Sequence, residues 1–135
     1  MNTVVLDTDT LSAIMRQDSN AVIAAQKHLA VHSKLTISII TRFEILRGLM
    51  AKNATSQISA FDATCNAMTV LPLTDAIIVR GAEIYGKLHQ TGKLIGDADI
   101  LIAATCLENG YDLATNNTAH FSRIDGLVVQ NWLAK

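Results

Sequence analysis

Apolar residues along this chain come in two kinds of run. Thr3-Val4-Val5-Leu6 and Leu35-Thr36-Ile37-Ser38-Ile39-Ile40 are short and continuous, the pattern of strands buried on both faces. Asp7-Thr8-Asp9-Thr10 ends the first abruptly, and from about Leu11 the spacing turns helical. Residues 20–32 are Ala-rich and open on Asn20, a good N-cap. After the second run, Thr41 and Glu44 match a capping box that opens a helix toward Gly48 and Leu49. Ala54, Ile58, Phe61, Cys65 and Met68 recur at helical spacing and predict an amphipathic helix over 54–67, its stripe facing the core in preference to a dimer.

The second half repeats the alternation. Thr69-Val70-Leu71 is a short strand closed by Pro72, and Thr74 caps a helix whose stripe is Ile77, Gly81, Ile84, Tyr85 and Leu88. Residues 91–96 form a loop between glycines. Asp97 caps a strongly apolar helix over 97–108, stopped by Asn109-Gly110. Residues 111–115 and 127–129 are the last two strands. Strands alternating with helices predict an α/β fold, a three-layer α/β/α sandwich with a central parallel sheet. No repeat or linker divides the chain, so one domain is expected over 1–135.

Composition sharpens this. Half of the 135 residues are hydrophobic, yet only 4% are aromatic, so the core is built of Ala, Val, Ile and Leu. A chain of this size buries roughly two thirds of its unfolded surface. With charged residues at 17%, disorder is excluded. No apolar run approaches the roughly 18 residues of a membrane span. The N-terminus carries no basic region or signal core, so a cytoplasmic location is expected. Cys65 and Cys106 form no CxxC pair and read as buried, reduced thiols. Eleven Lys and Arg against twelve Asp and Glu give a net charge of −1, which argues against nucleic-acid binding by bulk charge.

The acids are not scattered. In open α/β sheets the ligand site lies beyond the carboxyl ends of the strands. Asp7 and Asp9 follow the first strand, Glu44 lies in the helix after the second, Asp97 and Asp99 open the helix before the fourth, and Asn116 and Asn117 follow that strand. Five of the twelve acids thus sit at such positions. Two unit charges about 4 Å apart repel by roughly 4 kcal/mol at an effective dielectric near 20. No Lys or Arg stands at the strand ends as a counter-charge. A hard divalent cation, Mg²⁺ or Mn²⁺, would serve.

Blander roles compete at each position. Thr8 or Thr10 is available as cap after the first strand, which frees Asp7 for chemistry, whereas a capping box accounts for Glu44 and a cap for Asp97. Asp99 shares the stripe of Ile102, Ala103 and Cys106, where a charge needs a reason. Thr115, Asn116 and Asn117 are suited to a turn. His28, His32 and His89 are expected on solvent-facing helix turns; His120 alone falls near the acids. There is no phosphate-cradling glycine loop and no candidate Cys nucleophile.

Four motifs in order, Leu6-Asp7-Thr8-Asp9, Thr41-Arg42-Phe43-Glu44-Ile45-Leu46-Arg47-Gly48, Ile95-Gly96-Asp97-Ala98-Asp99 with its apolar continuation, and Leu113-Ala114-Thr115-Asn116-Asn117 with His120-Phe121, resemble the PIN-domain ribonucleases. Length and spacing are most similar to the VapC-type toxins of bacterial toxin–antitoxin pairs. The resemblance implies an Mg²⁺- or Mn²⁺-dependent endoribonuclease acting on structured RNA such as tRNA. Asp7, Glu44 and Asp99 would be its acids, and Asn117 falls where many members carry a fourth. Asp97 would be a further ligand, with Thr8, Asp9, Thr115 and Asn116 supporting the set. An antitoxin protein and a homodimer are the partners implied.

Two rivals remain at this level. Val4 to Thr10 also fits the opening of haloacid-dehalogenase-like phosphatases, with Asp7 as nucleophile and Asp9 as acid/base. That family, however, places its Ser/Thr and Lys motifs before the late acids, and here only Lys93 is a near candidate. The other rival is a PIN domain weakened in catalysis and kept for partner binding, which Asn117 leaves open.

Overall fold

The computed structural model describes residues 2–134. Five short strands form one parallel sheet: β1 (Val4–Leu6), β2 (Thr36–Ser38), β3 (Thr69–Leu71), β4 (Asp112–Ala114) and β5 (Val129–Gln130). Their order is β3-β2-β1-β4-β5. The chain moves outward on one side of β1, then returns to build the other, so β1 and β4 flank the point where the direction of winding reverses. Crossovers are made by helices α1 (Thr8–Met15), α2 (Ser19–Leu29), α3 (Ile39–Ala51), α4 (Thr55–Asn66), α5 (Asp75–Gln90), α6 (Asp97–Asn109) and α7 (Thr118–Phe121).

The continuous apolar runs are explained by two cores, one on each face of the sheet. Val4 and Leu6 pack with Leu11, Ile37, Phe61 and Trp132, whereas Val5 between them packs with Leu88, Ile95, Ile102, Leu113 and Phe121. Alternate residues of one strand thus feed opposite layers. Each fully buried Val or Leu contributes about 1.5–3 kcal/mol. Phe61 and Cys65 of α4 and the following Met68 belong to the first core. Cys65 and Cys106 are free and buried, and burial pushes the Cys106 thiol up to about 12, far from a nucleophile. No helix is long and apolar enough to cross a membrane among the described residues.

Helix starts differ from expectation in four places, each for a local reason. Asp7 itself caps α1, its Oδ1 accepting the Thr10 N–H at 2.8 Å. Asp18, not Asn20, caps α2; Asn20 instead donates to the Leu133 carbonyl. Ser38 caps α3 through the Ile40 N–H, so Ile39 and Ile40 are helical and Thr41 and Glu44 make no capping box. The ladder between β1 and β2 has run out at Leu6 and Ile37, and the chain turns there whatever its β-branched side chains prefer. Asp97 is the first residue of α6, after Gly96, and caps nothing by side chain.

Two side chains and one strand are also placed differently. His28 is buried rather than solvent-facing, stacked on His32 with ring centroids 4.3 Å apart and covered by Trp132 of the C-terminal segment. Among the described residues its ring nitrogens have no hydrogen-bond partner, and burial lowers its pKa. Tyr85 leaves the buried stripe of α5 for solvent and stacks on His89. The last strand is Val129–Gln130, displaced from 127–129, because Leu113 and Ala114 of β4 pair there.

Candidate active site

Three loops meet where β1 and β4 end. Register places Leu6 opposite Ala114, which sets Asp7 and Thr115 side by side. The Asp7 N–H donates to the Ala114 carbonyl at 3.0 Å, and the buried Thr10 hydroxyl donates to the same oxygen at 3.1 Å. Asp7 is buried; its carboxylate accepts the Thr10 N–H, and the neighbouring Thr115 and Thr10 side chains act to lower its pKa. Burial nevertheless dominates and raises its pKa, with Asp9 adding to the rise.

Glu44 points from α3 toward α1. The Thr8 hydroxyl lies 2.6 Å from Glu44 Oε1 and 3.2 Å from the Thr41 hydroxyl, so Thr8 donates to the carboxylate and accepts from Thr41. On the outer side the exposed Arg47 approaches the half-buried Glu44 at Oε2, 3.6 Å away, a long and partly solvated pair worth about 1 kcal/mol or less.

Asp99 is the third residue of α6, half-buried in its first turn. A helix N-terminus favours an anion by about 0.3–1 kcal/mol. Here burial, then Glu44, then Asp7 push the other way and raise the Asp99 pKa; His120 opposes them. Asp99 accepts no hydrogen bond among the described residues.

Asp7, Asp9, Glu44 and Asp99 are therefore brought within electrostatic reach of one another. Asp9 is exposed in the first turn of α1. Asp97 is not part of this group: it is exposed and lines a shallow pocket with Gly81, Tyr85 and Leu101 against α5. Asn116 also turns away, accepting from Asn131 at 3.1 Å. The Asn117 N–H donates to the Thr115 hydroxyl at 2.9 Å, and its side-chain amide meets His120 Nδ1 at 2.7 Å. Sequence reasoning missed Thr10 and Thr41 as supports. The run of four hydroxyl or acid residues directly after a buried strand was the available signal for Thr10.

The PIN domain family model matches residues 4–127. The chain belongs to the PIN-domain family. Among its relatives, the Ribonuclease VapC1 of Methanocaldococcus jannaschii is 34% identical over 65% of this chain and 62% of its own length. The chain thus spans somewhat under two thirds of that relative. The Ribonuclease VapC1 of Haemophilus influenzae strain R2866 is 27% identical over 94% of this chain and 96% of that one. Among solved structures, VapBC-1 of nontypeable Haemophilus influenzae superposes with a TM-score of 0.86 at 26% identity, covering 97% of this chain and 98% of the other. The expected sandwich around a parallel sheet is thus the PIN fold.

The donor set of this PIN domain suits a hard divalent cation. All its oxygens are carboxylate, burial and neighbouring acids raise the pKa of Asp7 and of Asp99, and Asp99 accepts no hydrogen bond among the described residues. The side chains converge without closing. Among the described residues, no three Asp, Glu, His or Cys side chains stand in metal-holding geometry.

Proposed function

We propose that this PIN domain is a divalent-cation-dependent endoribonuclease and the toxin of a toxin–antitoxin pair. One observation carries the reading: Asp7, Glu44 and Asp99 come within electrostatic reach of one another at the winding reversal of a parallel sheet, and the neighbouring groups that act most strongly on Asp99 are the carboxylates Glu44 and Asp7. The relatives named ribonuclease VapC and the VapBC structure support it.

Asp7, Glu44 and Asp99 would hold Mg²⁺ or Mn²⁺. When bound, such a cation supplies charge against phosphoryl oxygens and acidifies water beside the scissile bond. The chain's own work is positioning. Thr10 and Thr115 fix Asp7, and Thr8 fixes Glu44. No side-chain nucleophile is needed for hydrolysis of an RNA phosphodiester by water. The phosphatase reading is not favoured, since the PIN match spans the motifs on which it rested.

The proposed partner is an antitoxin. Between α1, α3 and α4 lies an open groove lined by Met15, Ile45, Leu49 and Phe61, with Arg16 and Lys52 at its rim. A second copy of the chain could pack on the exposed Ile78, Val79 and Leu94 of α5 and its following loop. A cytoplasmic setting fits the two free thiols.

Purified protein should cut RNA with Mg²⁺ or Mn²⁺ and stop when EDTA is added. Asp7→Asn and Asp99→Asn should each lower the rate at least about 100-fold, a loss of roughly 2.7 kcal/mol of transition-state stabilisation. Cleavage by both variants at the parent rate would reject the site.

A further inference from the structure

The loop after β4 carries a run of side-chain hydrogen bonds that cation binding does not use. Thr115 is fully buried; its side chain lies against Asp7 and acts to lower the pKa of that acid, and its hydroxyl accepts the Asn117 N–H at 2.9 Å. Asn117 in turn places its side-chain nitrogen 2.7 Å from His120 Nδ1. An amide nitrogen only donates, so Nδ1 must accept, and the ring carries its proton on Nε2. The turn itself is held by backbone hydrogen bonds and a buried anchor. His120 and Phe121 both donate their N–H to the Asn117 carbonyl, and the Phe121 side chain is fully buried in one of the two cores.

The geometry that brings the imidazole to the acids is the turn itself: Asn117, which holds His120 Nδ1, follows the strand whose end lies against Asp7, and His120 is within electrostatic reach of Asp99, where it opposes Glu44 and Asp7. A phosphodiester arriving at these acids brings oxygens that need donors, and Thr8 and Thr10 have committed their hydroxyl protons.

We propose that His120, locked as its Nε2–H tautomer by Asn117, is a catalytic residue that donates a hydrogen bond to a phosphate oxygen of the bound RNA. Asn117 is then a positioning residue that acts through His120 rather than a substitute ligand. The inference rests on the ribonuclease reading.

The test is RNA cleavage in Mn²⁺ by the parent, Asn117→Ala, His120→Ala, His120→Gln, the Asn117→Ala/His120→Ala double variant, and Asp7→Asn as control. His120→Ala should lower kcat about 100-fold, the loss typical of one donor to a developing oxyanion, with KM changed less than about threefold. His120→Gln keeps an N–H and should recover at least about tenfold of it. Asn117→Ala should lose about tenfold, and the double variant should be no slower than His120→Ala alone. Ring ¹⁵N shifts should show the Nε2–H form in the parent and a tautomer mixture in Asn117→Ala. Multiplying losses in the double variant, His120→Gln no faster than His120→Ala, or a tautomer indifferent to Asn117 would each overturn the pair. An Asp7→Asn variant as active as the parent would instead sink the ribonuclease reading. Asp7→Asn dead with His120→Ala fully active would sink this inference alone.

Discussion

Asp7 holds two posts that sequence reasoning had set against each other. Its side chain caps α1 and is also the buried acid at the mouth of the sheet. The Thr10 N–H bonds it and hydroxyl neighbours favour its charged form, yet its pKa rises, because desolvation outweighs them. Asp99 rises too, from burial and two neighbouring acids. A carboxyl whose folded pKa lies above its unfolded value stabilises the fold fully below the unfolded value, 3.8 for these acids, and that contribution is lost as pH rises through the folded one. In EDTA, Asp99→Asn should therefore raise Tm at neutral pH. The gain should fade as pH falls toward about 3, read by thermal denaturation across the range. A gain of equal size at every pH, or a lower Tm at neutrality, would contradict the repulsion argument. Thr8 offers a second check, since its hydroxyl orients Glu44 at 2.6 Å. Thr8→Val should cost roughly tenfold in RNA cleavage while stability moves by less than about 1 kcal/mol, and Thr8→Ser should restore the rate.

Elements were legible in kind and less so in phase. The five strands and the parallel sheet followed from continuous apolar runs. What the runs could not tell was where pairing stops. Ile39 and Ile40 look like strand, but β2 spans only Thr36–Ser38, and Ser38 takes the capping role that Thr41 seemed to hold. Ser38→Ala should cost about 1 kcal/mol in chemical denaturation, the usual value of a lost N-cap. Helix phase likewise separates Asp97 from Asp99. Two residues apart on a helix they face nearly opposite ways, and only the packing of α6 decides which meets Glu44. That packing is close at Gly81, where an added Cβ would lie 3.3 Å from Leu101 Cδ2. Gly81→Val should overpack the α5–α6 contact and destabilise by about 1–3 kcal/mol. An unchanged denaturation midpoint would mean that the two helices slide freely.

At the scale of the whole molecule the charge balance is decided by topology. A net charge of −1 says little by itself, because strand order gathers Asp7, Asp9, Glu44 and Asp99 from distant parts of the chain to one edge. Setting Asp7, Glu44 and Asp99 aside leaves nine acids against eleven bases, a balance of +2. The field at the mouth of the site is thus negative while the rest of the molecule is mildly positive, and a phosphate backbone should be repelled until a cation offsets the acids. This gives a sign that binding can test apart from cleavage. In EDTA at low salt, Asp99→Asn should bind RNA more tightly than the parent, by about twofold to fivefold, since one unit charge is removed near the phosphate path. The difference should shrink as salt shortens the Debye length to about 8 Å. With Ca²⁺ present the order should reverse, because the parent then holds its cation and the variant has lost a ligand. Parent and variant binding alike in EDTA would mean that RNA does not approach these acids, and the site would have to be sought elsewhere on the sheet.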